Sequence, residues 1–448
     1  MSEIIVAGAG HGGIVAAMKL AEAGHKVTVF EKNARENCGH EQKDSFDASA
    51  FDYADIEIPE GYLAPANQIS FYPLDSSVEP LTLPAPKDYR NITVDRRELL
   101  AYLISLAEKA GVEFRFEDGV SSPIMLGGRV SGLETQSGKH YADLVIDACG
   151  VDSPVRKQLP DYLSIEKDLA NYDCIYTYRA KFGRVPGVPD PEHKYNIYIK
   201  DDNGFEWIIT DDDSVDVLVL RMYELNYSLI ADLLRKTNEE NPHMDKNIIG
   251  NGKMSKIPVR QPLAVFVADG YAAVGDSAFM TYAAKGSGIA FAIKAGTMLA
   301  RAVLEDKNGI YSGETLWPYE RAFFKEIGFD ACSIALVKNL LPYMTAQEVN
   351  DIFRNKLITS EELDYIFSGV FPKRKVPAML KEKLKILGDV PEFRSQIISF
   401  IAWLGKFNTL VEPFIPSKYE PEEISKWAER YNKFFESIRK KEDGDLSV

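Results

Sequence analysis

The chain has 448 residues, 45% of them hydrophobic and 11% aromatic, and its formal net charge is −15 at pH 7. This length predicts two or three domains, and the composition excludes a disordered or fibrous protein. The acidic balance argues against a nucleic-acid-binding protein, because phosphate binding needs clustered Lys and Arg. Four cysteines in so long a chain indicate reduced thiols rather than a disulfide framework.

The first fifteen residues predict a strand, a glycine-rich turn and a helix. The motif Gly8-x-Gly10-x-x-Gly13, which also contains Gly12, is typical of a dinucleotide-binding turn. Its glycines allow a tight turn, close approach of the backbone to a pyrophosphate, and close packing of helix on strand. The helix that begins there directs free N–H groups at the phosphates. A glycine turn in an α/β fold without a ligand is the alternative.

The second predicted strand ends in Glu31, which can accept hydrogen bonds from an adenosine ribose. Lys32 beside it is also expected to bind the dinucleotide. Residues 32–65 show little periodicity and predict a long functional loop over a bound ligand. Cys38 and His40 in this loop could supply two metal ligands, which falls short of a zinc site, and no metal is predicted.

Residues 94–111 predict an amphipathic helix with Asp95 as its N-cap. Arg96 follows at a place from which a guanidinium could reach a phosphate or the edge of a flavin. An ordinary arginine on the surface of a first helical turn is an equally good interpretation. Three strands are predicted next, and the last of them, within 139–150, is nearly all apolar and is expected in the main sheet.

From residue 172 to residue 223 the hydrophobic pattern changes to a period of two. This pattern predicts an antiparallel sheet inserted between pieces of the parallel fold, with a hairpin turn at Asn203-Gly204. Phe205 and Trp207 lie on one face of a predicted strand. An aromatic stripe of this kind belongs more often to a core than to a ligand cavity.

A later hairpin leads to Asp276, and a glycine-rich helix start follows at Gly286, Ser287 and Gly288. The carboxylate of Asp276 is suited to hold a ribityl hydroxyl. The helix start can face the pyrimidine oxygen of a flavin and stabilise negative charge on the reduced ring. No strand leads to a second GxGxxG motif, so a separate NAD(P) domain is not expected.

Residues 319–448 predict a helical tail, in which the segment 396–416 is unusually apolar. Core packing, the cover of an apolar substrate tunnel, and docking on a membrane or a partner are three interpretations of this segment. No apolar stretch approaches the roughly 20 residues that span a bilayer, and the first residues predict a strand rather than a signal peptide. We therefore expect a soluble, cytoplasmic protein.

These motifs together resemble the flavoprotein superfamily with the p-hydroxybenzoate hydroxylase fold. The likeness rests on the N-terminal GxGxxG motif, on the stretch Ala148-Cys149-Gly150 with Ser153 and Arg156 after it, and on the late Gly-Asp motif. It implies FAD bound in an extended form, with contacts that include Arg96 and Gly150. Cys149 stands where the superfamily usually has an aspartate.

Within that superfamily the chain is most similar to the geranylgeranyl reductase branch. The segment GDSAFMTYAAKGSGIAFAIKAG aligns with that branch without gaps, and Cys38-Gly39 resembles its cysteine-glycine pair. Phe205-x-Trp207 matches the first half of its aromatic substrate motif, whose Phe-Pro is missing here. The resemblance implies that Phe205 and Trp207 line a substrate cavity and that Cys38 approaches the flavin.

The expected fold class is α/β, with a Rossmann-like FAD-binding domain, an antiparallel β-sheet substrate domain and a helical C-terminal region. The FAD-binding domain is predicted to be discontinuous, over 1–66, 89–171 and 255–310. The substrate domain is predicted over 67–88 and 172–254, and the helical region over 311–448.

The leading functional hypothesis is an FAD-dependent reductase that passes a hydride from flavin N5 to a carbon–carbon double bond of a small apolar, isoprenoid-like substrate. Cys38 or Tyr282 is the predicted proton donor, and NAD(P)H, ferredoxin or flavodoxin the predicted external electron donor. One alternative is a monooxygenase that hydroxylates a small aromatic or apolar substrate. Another is an electron-carrying flavoprotein whose helical tail makes peripheral contact with a partner or a membrane.

Overall fold

The computed structural model describes residues 1–64, 67–84, 90–202, 204–339, 344–368 and 394–443. The predicted turn residue Asn203, and the predicted domain ends at residues 66 and 88, lie outside the described residues.

Nineteen strands are formed by the described residues: β1 (Glu3–Ala7), β2 (Lys26–Phe30), β3 (Lys43–Asp47), β4 (Leu63–Ala64), β5 (Ile69–Tyr72), β6 (Leu81–Leu83), β7 (Asn91–Asp95), β8 (Glu113–Arg115), β9 (Val120–Leu126), β10 (Arg129–Thr135), β11 (Gly138–Tyr141), β12 (Leu144–Asp147), β13 (Cys174–Arg184), β14 (Tyr195–Ile199), β15 (Phe205–Thr210), β16 (Ser214–Arg221), β17 (Met244–Pro258), β18 (Val267–Ala268) and β19 (Tyr271–Ala273).

The α-helices of the described chain are α1 (His11–Glu22), α2 (Ser49–Tyr53), α3 (Arg96–Lys109), α4 (Pro154–Lys157), α5 (Tyr227–Glu240), α6 (Ile289–Glu305), α7 (Gly313–Phe323), α8 (Phe329–Lys338), α9 (Ala346–Arg354), α10 (Ser360–Ser368), α11 (Arg394–Leu410) and α12 (Pro421–Asp443).

A six-stranded sheet in the order β18-β19-β12-β1-β2-β8 forms the centre of the dinucleotide-binding part. Strands β19, β12, β1, β2 and β8 run parallel, and β18 joins β19 as an antiparallel hairpin. Helix α1 packs between α3 and α6. The side chains of β12 are all buried, as its apolar sequence predicts for a strand in the middle of a parallel sheet.

A seven-stranded sheet in the order β17-β13-β16-β15-β14-β5-β6 lies beside it. All its neighbours pair antiparallel except β14 and β5, which are parallel. Strand β17 is not predicted from the sequence, and it continues across the predicted domain boundary between residues 254 and 255. One face of the sheet carries a core of its own with α5, through side chains such as Ile208, Val217 and Leu233.

Residues 32–64 are more regular than the long loop predicted over 32–65. They contain β3 and α2, and β3 pairs antiparallel with β7 in a three-stranded sheet, β3-β7-β4. Five residues at this small sheet line the cavity described below: His40, Gln42, Lys43, Asp44 and Ser45.

The C-terminal helices share the core of the dinucleotide-binding part. Leu404, Phe407 and Val411, from the apolar segment of the tail, are buried in the same cluster as Trp427 and Tyr431 of α12. Of the three interpretations of the apolar segment, core packing is therefore the one that describes these three side chains. In the described part of the chain, every helix is too short or too polar to cross a bilayer. The α/β fold with a Rossmann-like domain, an antiparallel sheet and a helical C-terminal region is thus confirmed.

Candidate active site

The glycine turn after β1 lies against the end of β12. Gly8 has a φ of +87°, and a Cβ at Gly8 or Gly10 would lie 2.7 or 2.9 Å from the carbonyl oxygen of Ala148. A Cβ at Gly13 would lie 2.6 Å from the Cβ of Ala148. These positions therefore accept no side chain without moving the backbone around them. Gly12 faces α6 instead, where a Cβ would lie 2.6 Å from the oxygen of Ala292.

Helix α1 begins beside this turn with an open N-terminus. No side chain caps it, and its first turn holds no acidic residue. The helix therefore presents unpaired N–H groups and the positive end of its dipole, which favours an anion.

Glu31, at the end of β2, is buried and is held against the same turn. The backbone N–H of Ala9 donates to its Oε2 at 2.8 Å, and the N–H and Nδ2 of Asn33 donate to Oε1 at 2.9 and 2.6 Å. A carboxylate offers about four lone-pair sites, so Glu31 retains acceptor capacity for a hydroxyl. Lys32, next in the chain, is exposed.

Asp147 connects the end of β12 to the late Gly-Asp turn. It is fully buried; Ser153 Oγ and Tyr271 Oη donate to its Oδ2 at 2.5 and 2.9 Å. Ser277 Oγ and the N–H of Cys149 donate to Oδ1 at 3.0 and 3.1 Å. Cys149, at the position where the superfamily usually has an aspartate, thus donates its N–H to a carboxylate two residues earlier in the chain. None of the sequence motifs marks Asp147 as a residue that connects these two segments.

Arg156 fastens the same two segments together. Its guanidinium donates to the carbonyl oxygens of Ser277 and Val151, both at 2.6 Å, and lies 4.4 Å from the ring centre of Phe279. Gly150, at a φ of +83°, donates its N–H to Ser277 Oγ at 2.9 Å. Gly150 is therefore held between the glycine turn of β1 and the turn that contains Asp276.

Asp276 lies in a short 3-10 turn, Gly275–Ala278, that precedes α6. Thr281 Oγ1 donates to its Oδ1 at 2.8 Å, and burial raises the pKa of the carboxyl although Thr281 and Arg96 act in the opposite direction. A Cβ on Gly288, the N-cap of α6, would lie 3.1 Å from Asp276 Oδ1. Helix α6 has no side-chain cap and no acidic residue in its first turn. Its N-terminus is therefore a second open site for negative charge.

A cavity of about 790 Å³ lies between the turn that contains Asp276 and the seven-stranded sheet. The glycine turn, Glu31 and Gly150 are not among its lining residues. Its size is in the range of sites for small molecules and cofactors. On the side of the dinucleotide-binding part it is lined by Arg96, Asp276, Gly286 and Ser287. The opposite wall is an apolar stripe of the sheet, formed by Ile175, Trp207, Ile209, Leu218, Leu220 and Ile257.

Trp207 is among these lining residues. Its Nε1 is buried and makes no hydrogen bond to a described residue. Phe205, two residues earlier on the same face, is absent from the lining and packs with Phe71, Leu83 and Ile197.

One end of the cavity is strongly charged. Arg96 Nε donates to Asp44 Oδ2 at 2.5 Å, and Arg179 Nη1 lies 3.4 Å from Asp44 Oδ1. Arg179 also forms a two-point pair with Asp216, at 2.9 and 2.7 Å. Burial opposes the charge on Asp44, but Arg96 and Arg179 hold its pKa below the usual value. Asp44, Arg179 and Asp216 were not identified from the sequence, because no motif marks them.

Two histidines adjoin this charged end. Burial, together with Arg96, lowers the pKa of His11 to about 3 and that of His40 to about 4. His11 is the first residue of α1, and its Nε2 is buried with no hydrogen-bond partner among the described residues. Both rings are therefore neutral at pH 7.

The two predicted proton donors are not among the lining residues. Cys38 is buried, its Sγ donates to the carbonyl oxygen of Ala34 at 3.6 Å, and burial raises its pKa to about 11. Tyr282 is buried and packs edge-on against Phe291, with ring centres 5.7 Å apart. Their predicted catalytic role stays a prediction, and Lys285 of the same loop as Tyr282 does line the cavity.

Comparison with known proteins agrees with this geometry. Residues 6–54 match the family model for an NAD(P)-binding Rossmann-like domain. Digeranylgeranylglycerophospholipid reductase of Sulfolobus acidocaldarius is 24% identical over 387 residues, which are 81% of this chain and 82% of that protein. The chain is similar to digeranylgeranylglycerophospholipid reductases over most of its length. The predicted resemblance to the geranylgeranyl reductase branch is therefore confirmed.

Solved structures extend the likeness to the fold. A geranylgeranyl bacteriochlorophyll reductase-like protein of Thermoplasma acidophilum has a TM-score of 0.70 and 19% identity, covering 87% of this chain and 98% of that one. A probable FAD-dependent monooxygenase of Pseudomonas aeruginosa has a TM-score of 0.58 and 19% identity, covering 79% of this chain and 99% of that one. The fold is thus one that geranylgeranyl reductase-like proteins share with flavin-dependent enzymes.

Proposed function

We propose that this protein is an FAD-dependent reductase that saturates carbon–carbon double bonds of an apolar, isoprenoid-like substrate. One observation carries the proposal: Asp276 and the start of α6 line the same cavity as the apolar stripe of the seven-stranded sheet. The similarity to digeranylgeranylglycerophospholipid reductases supports the same assignment.

The residues around the cavity fit FAD. Helices α1 and α6 both have open N-termini, and the start of α6 lines the cavity. The glycines of the first turn let its backbone pack closely against Ala148 and against α6. One N-terminus suits a pyrophosphate and the other the pyrimidine edge of a flavin. The residues that would hold the cofactor are Gly8, Gly10, Gly12, Gly13, Glu31, Lys32, Arg96, Gly150, Asp276, Gly286, Ser287 and Gly288.

FAD, when bound and reduced, supplies a hydride at N5. The chain supplies the place in which an alkene receives it. Trp207, Ile175 and Ile257 form a wall that excludes water and holds an apolar chain by dispersion and burial. The charged end, where Arg179 lies between Asp44 and Asp216, suits the polar end of an amphiphilic substrate.

The electron donor is NAD(P)H, ferredoxin or flavodoxin in this proposal. The helical tail remains a candidate for peripheral membrane contact, since Ile398, Leu410 and Phe414 are exposed on it. Titration with each electron donor tests the first assignment, and titration with lipid vesicles tests the membrane contact.

An anaerobic single-turnover experiment tests the proposal. The purified protein is reduced with dithionite in the absence of oxygen and mixed with a geranylgeranyl lipid. Reoxidation of the flavin, with a product heavier by two hydrogens for each double bond reduced, is the expected result. Air-dependent hydroxylation of the lipid or of a small aromatic, with no product under anaerobic conditions, would identify a monooxygenase instead. A protein that binds no flavin would overturn the proposal.

The wall of the cavity offers a matched pair of variants. Trp207→Ala removes the largest side chain of the apolar stripe and is expected to raise KM for a geranylgeranyl substrate by roughly 10-fold or more, since an indole buries a large apolar area. Ile208→Val changes the opposite face of the same strand, which packs on α5, and is expected to leave KM unchanged.

A further inference from the structure

The loop from Tyr282 to Ser287 is held rigidly at the cavity. The N–H of Tyr282 donates to the oxygen of Ser287, and the N–H of Gly286 donates to the oxygen of Tyr282, both at 2.9 Å. Gly286 has a φ of +62°, and a Cβ there would lie 3.0 Å from Ile175 Cδ1 of the sheet. The loop is therefore pressed against the apolar wall, and Lys285 lies at its tip.

Lys285 differs from the other cations that line the cavity. Arg96 is paired with Asp44 at 2.5 Å, Arg179 with Asp216 at 2.7 Å, and Lys256 with Asp152 at 3.1 Å. Lys43 and Lys253, also in the lining, are exposed.

Lys285 is partly buried, and within the described chain its ammonium group has neither a hydrogen bond nor an ion pair. The Nζ of Lys285 lies 5.8 Å from the centre of the Tyr282 ring. A partly desolvated ammonium group without a counter-ion keeps its N–H donors free for a ligand in the cavity. A residue kept in this state at the wall of a cavity points to a role with the ligand.

Burial lowers the pKa of Lys285 to about 8, and Asp47 on β3 acts in the opposite direction. The other charged or titratable groups near the loop are Tyr282 on the loop itself, Asp276 on the turn before it and Lys256 on β17. At neutral pH the side chain is thus an ammonium that gives up a proton more readily than an exposed lysine does.

We propose that Lys285 donates the proton that completes reduction of the double bond. The inference rests on the reductase function proposed above. One alkene carbon gains a hydride, that is two electrons and one hydrogen, from the reduced cofactor. The other carbon forms its new C–H bond as the Nζ–H bond of Lys285 breaks. The cofactor is oxidised by two electrons, the alkene is reduced by two, and the neutral amine regains its proton from water.

The kinetic test compares wild type with two variants in the anaerobic single turnover. In wild type the rate of flavin reoxidation by the geranylgeranyl lipid is expected to fall above about pH 8, where the amine has no proton to give. Lys285→Met is expected to lose roughly 10²–10⁴-fold in rate and to recover part of it when methylammonium is added. Lys285→Arg keeps the charge but is too weak an acid to donate, so its rate is expected to stay low.

A second measurement does not depend on turnover. Lysines are dimethylated with ¹³C-formaldehyde, and the methyl resonances are titrated by NMR. Besides the α-amino group, which titrates in the same range, one lysine resonance is expected to titrate near pH 8 in wild type and to be absent from Lys285→Met. Its appearance at the ordinary lysine value would overturn the proposal.

Two further outcomes separate this proposal from the proposed function. If reduced wild type is never reoxidised by the alkene, the reductase function fails, and proton donation to an alkene fails with it. If wild type turns over and Lys285→Met or Lys285→Arg matches its rate and pH profile, only the assignment of Lys285 fails. Flavin content and melting temperature of each variant show whether the variant has folded.

Discussion

Arg179 of β13 and Asp44 of β3 meet across the cavity, with Nη1 of the arginine 3.4 Å from Oδ1 of the aspartate. They are 135 positions apart in the chain. The contact joins the seven-stranded sheet to the small sheet beside the glycine turn. Since Arg96 shares the same carboxylate, Asp44 is the one acidic group between two guanidinium groups.

Asp44→Asn should therefore be strongly destabilising. It leaves Arg96 facing a neutral amide in a part-buried place, while Arg179 keeps its pair with Asp216, and we expect the free energy of unfolding to fall by about 3 kcal/mol. Glu41→Gln is the control, because Glu41 and Arg97 form an exposed pair on the same segment, worth about 0–1 kcal/mol. Chemical denaturation measures both. Equal losses in the two variants would mean that the position of Asp44 confers no special stability.

His40 makes stability depend on pH. Burial is the main cause that lowers its pKa from 6.5 to about 4, with Arg96 next. The unfolded chain therefore takes up a proton below pH 6.5 that the folded protein takes up only near pH 4. The contribution is present above pH 6.5 and is lost as the pH falls towards 4, by about 3 kcal/mol for such a shift.

His40→Gln removes this titration. The variant should show a shallower decline in the free energy of unfolding between pH 6.5 and pH 4 than wild type, measured by urea denaturation at several pH values. Parallel curves for the two proteins would show that His40 titrates normally in the folded state.

Helices α1 and α6 cross at two glycines. A Cβ on Gly296 would lie 2.2 Å from the oxygen of Gly12, and one on Gly12 would lie 2.6 Å from the oxygen of Ala292. Both obstacles are backbone atoms, so Gly296→Ala should separate the helices and lower the free energy of unfolding by about 1–3 kcal/mol.

Gly405→Ala is the control for that variant. Gly405 is exposed on α11, and a Cβ at this position would have no neighbouring atom within 4 Å. There the alanine should stabilise by about 0.5–1 kcal/mol through helix propensity. Thermal unfolding followed by circular dichroism separates the two outcomes, and a neutral Gly296→Ala would contradict the tight crossing.

Local patterns predicted the parts of the site that lie within one short stretch. The glycine turn, Glu31 and Asp276 each follow a strand with a recognisable residue pattern, so their place in the fold could be derived from the sequence. Strand β17 could not, because its sequence MDKNIIGNGKMSKIP has two glycines and no alternation, and much of it is exposed. Pairing with β13 forms it, and such a contact leaves no local signal.

The charged end of the cavity was missed for a related reason. Asp44 lies in a segment of low periodicity that reads as a loop, while Arg179 and Asp216 read as the polar positions of alternating strands. Only the tertiary fold brings the three together. The same holds for Asp147, whose carboxylate accepts hydrogen bonds from the N–H of Cys149 and from Ser277 Oγ, 130 positions later in the chain.

Cys38 provides the last prediction, because sequence resemblance and geometry favour different proton donors. Its thiol donates to the oxygen of Ala34 and is absent from the lining of the cavity, whereas Lys285 is part of that lining. Burial raises the pKa of the thiol to about 11, which makes it a weaker acid than the ammonium of Lys285. If Lys285 is the donor, Cys38→Ser should keep the single-turnover rate within about threefold of wild type. General acid catalysis contributes roughly 10²–10⁴-fold, and in this variant Lys285 still provides it. A rate loss of roughly 10²–10⁴-fold in Cys38→Ser, with the rate of Lys285→Met unchanged, would identify Cys38 as the proton donor instead.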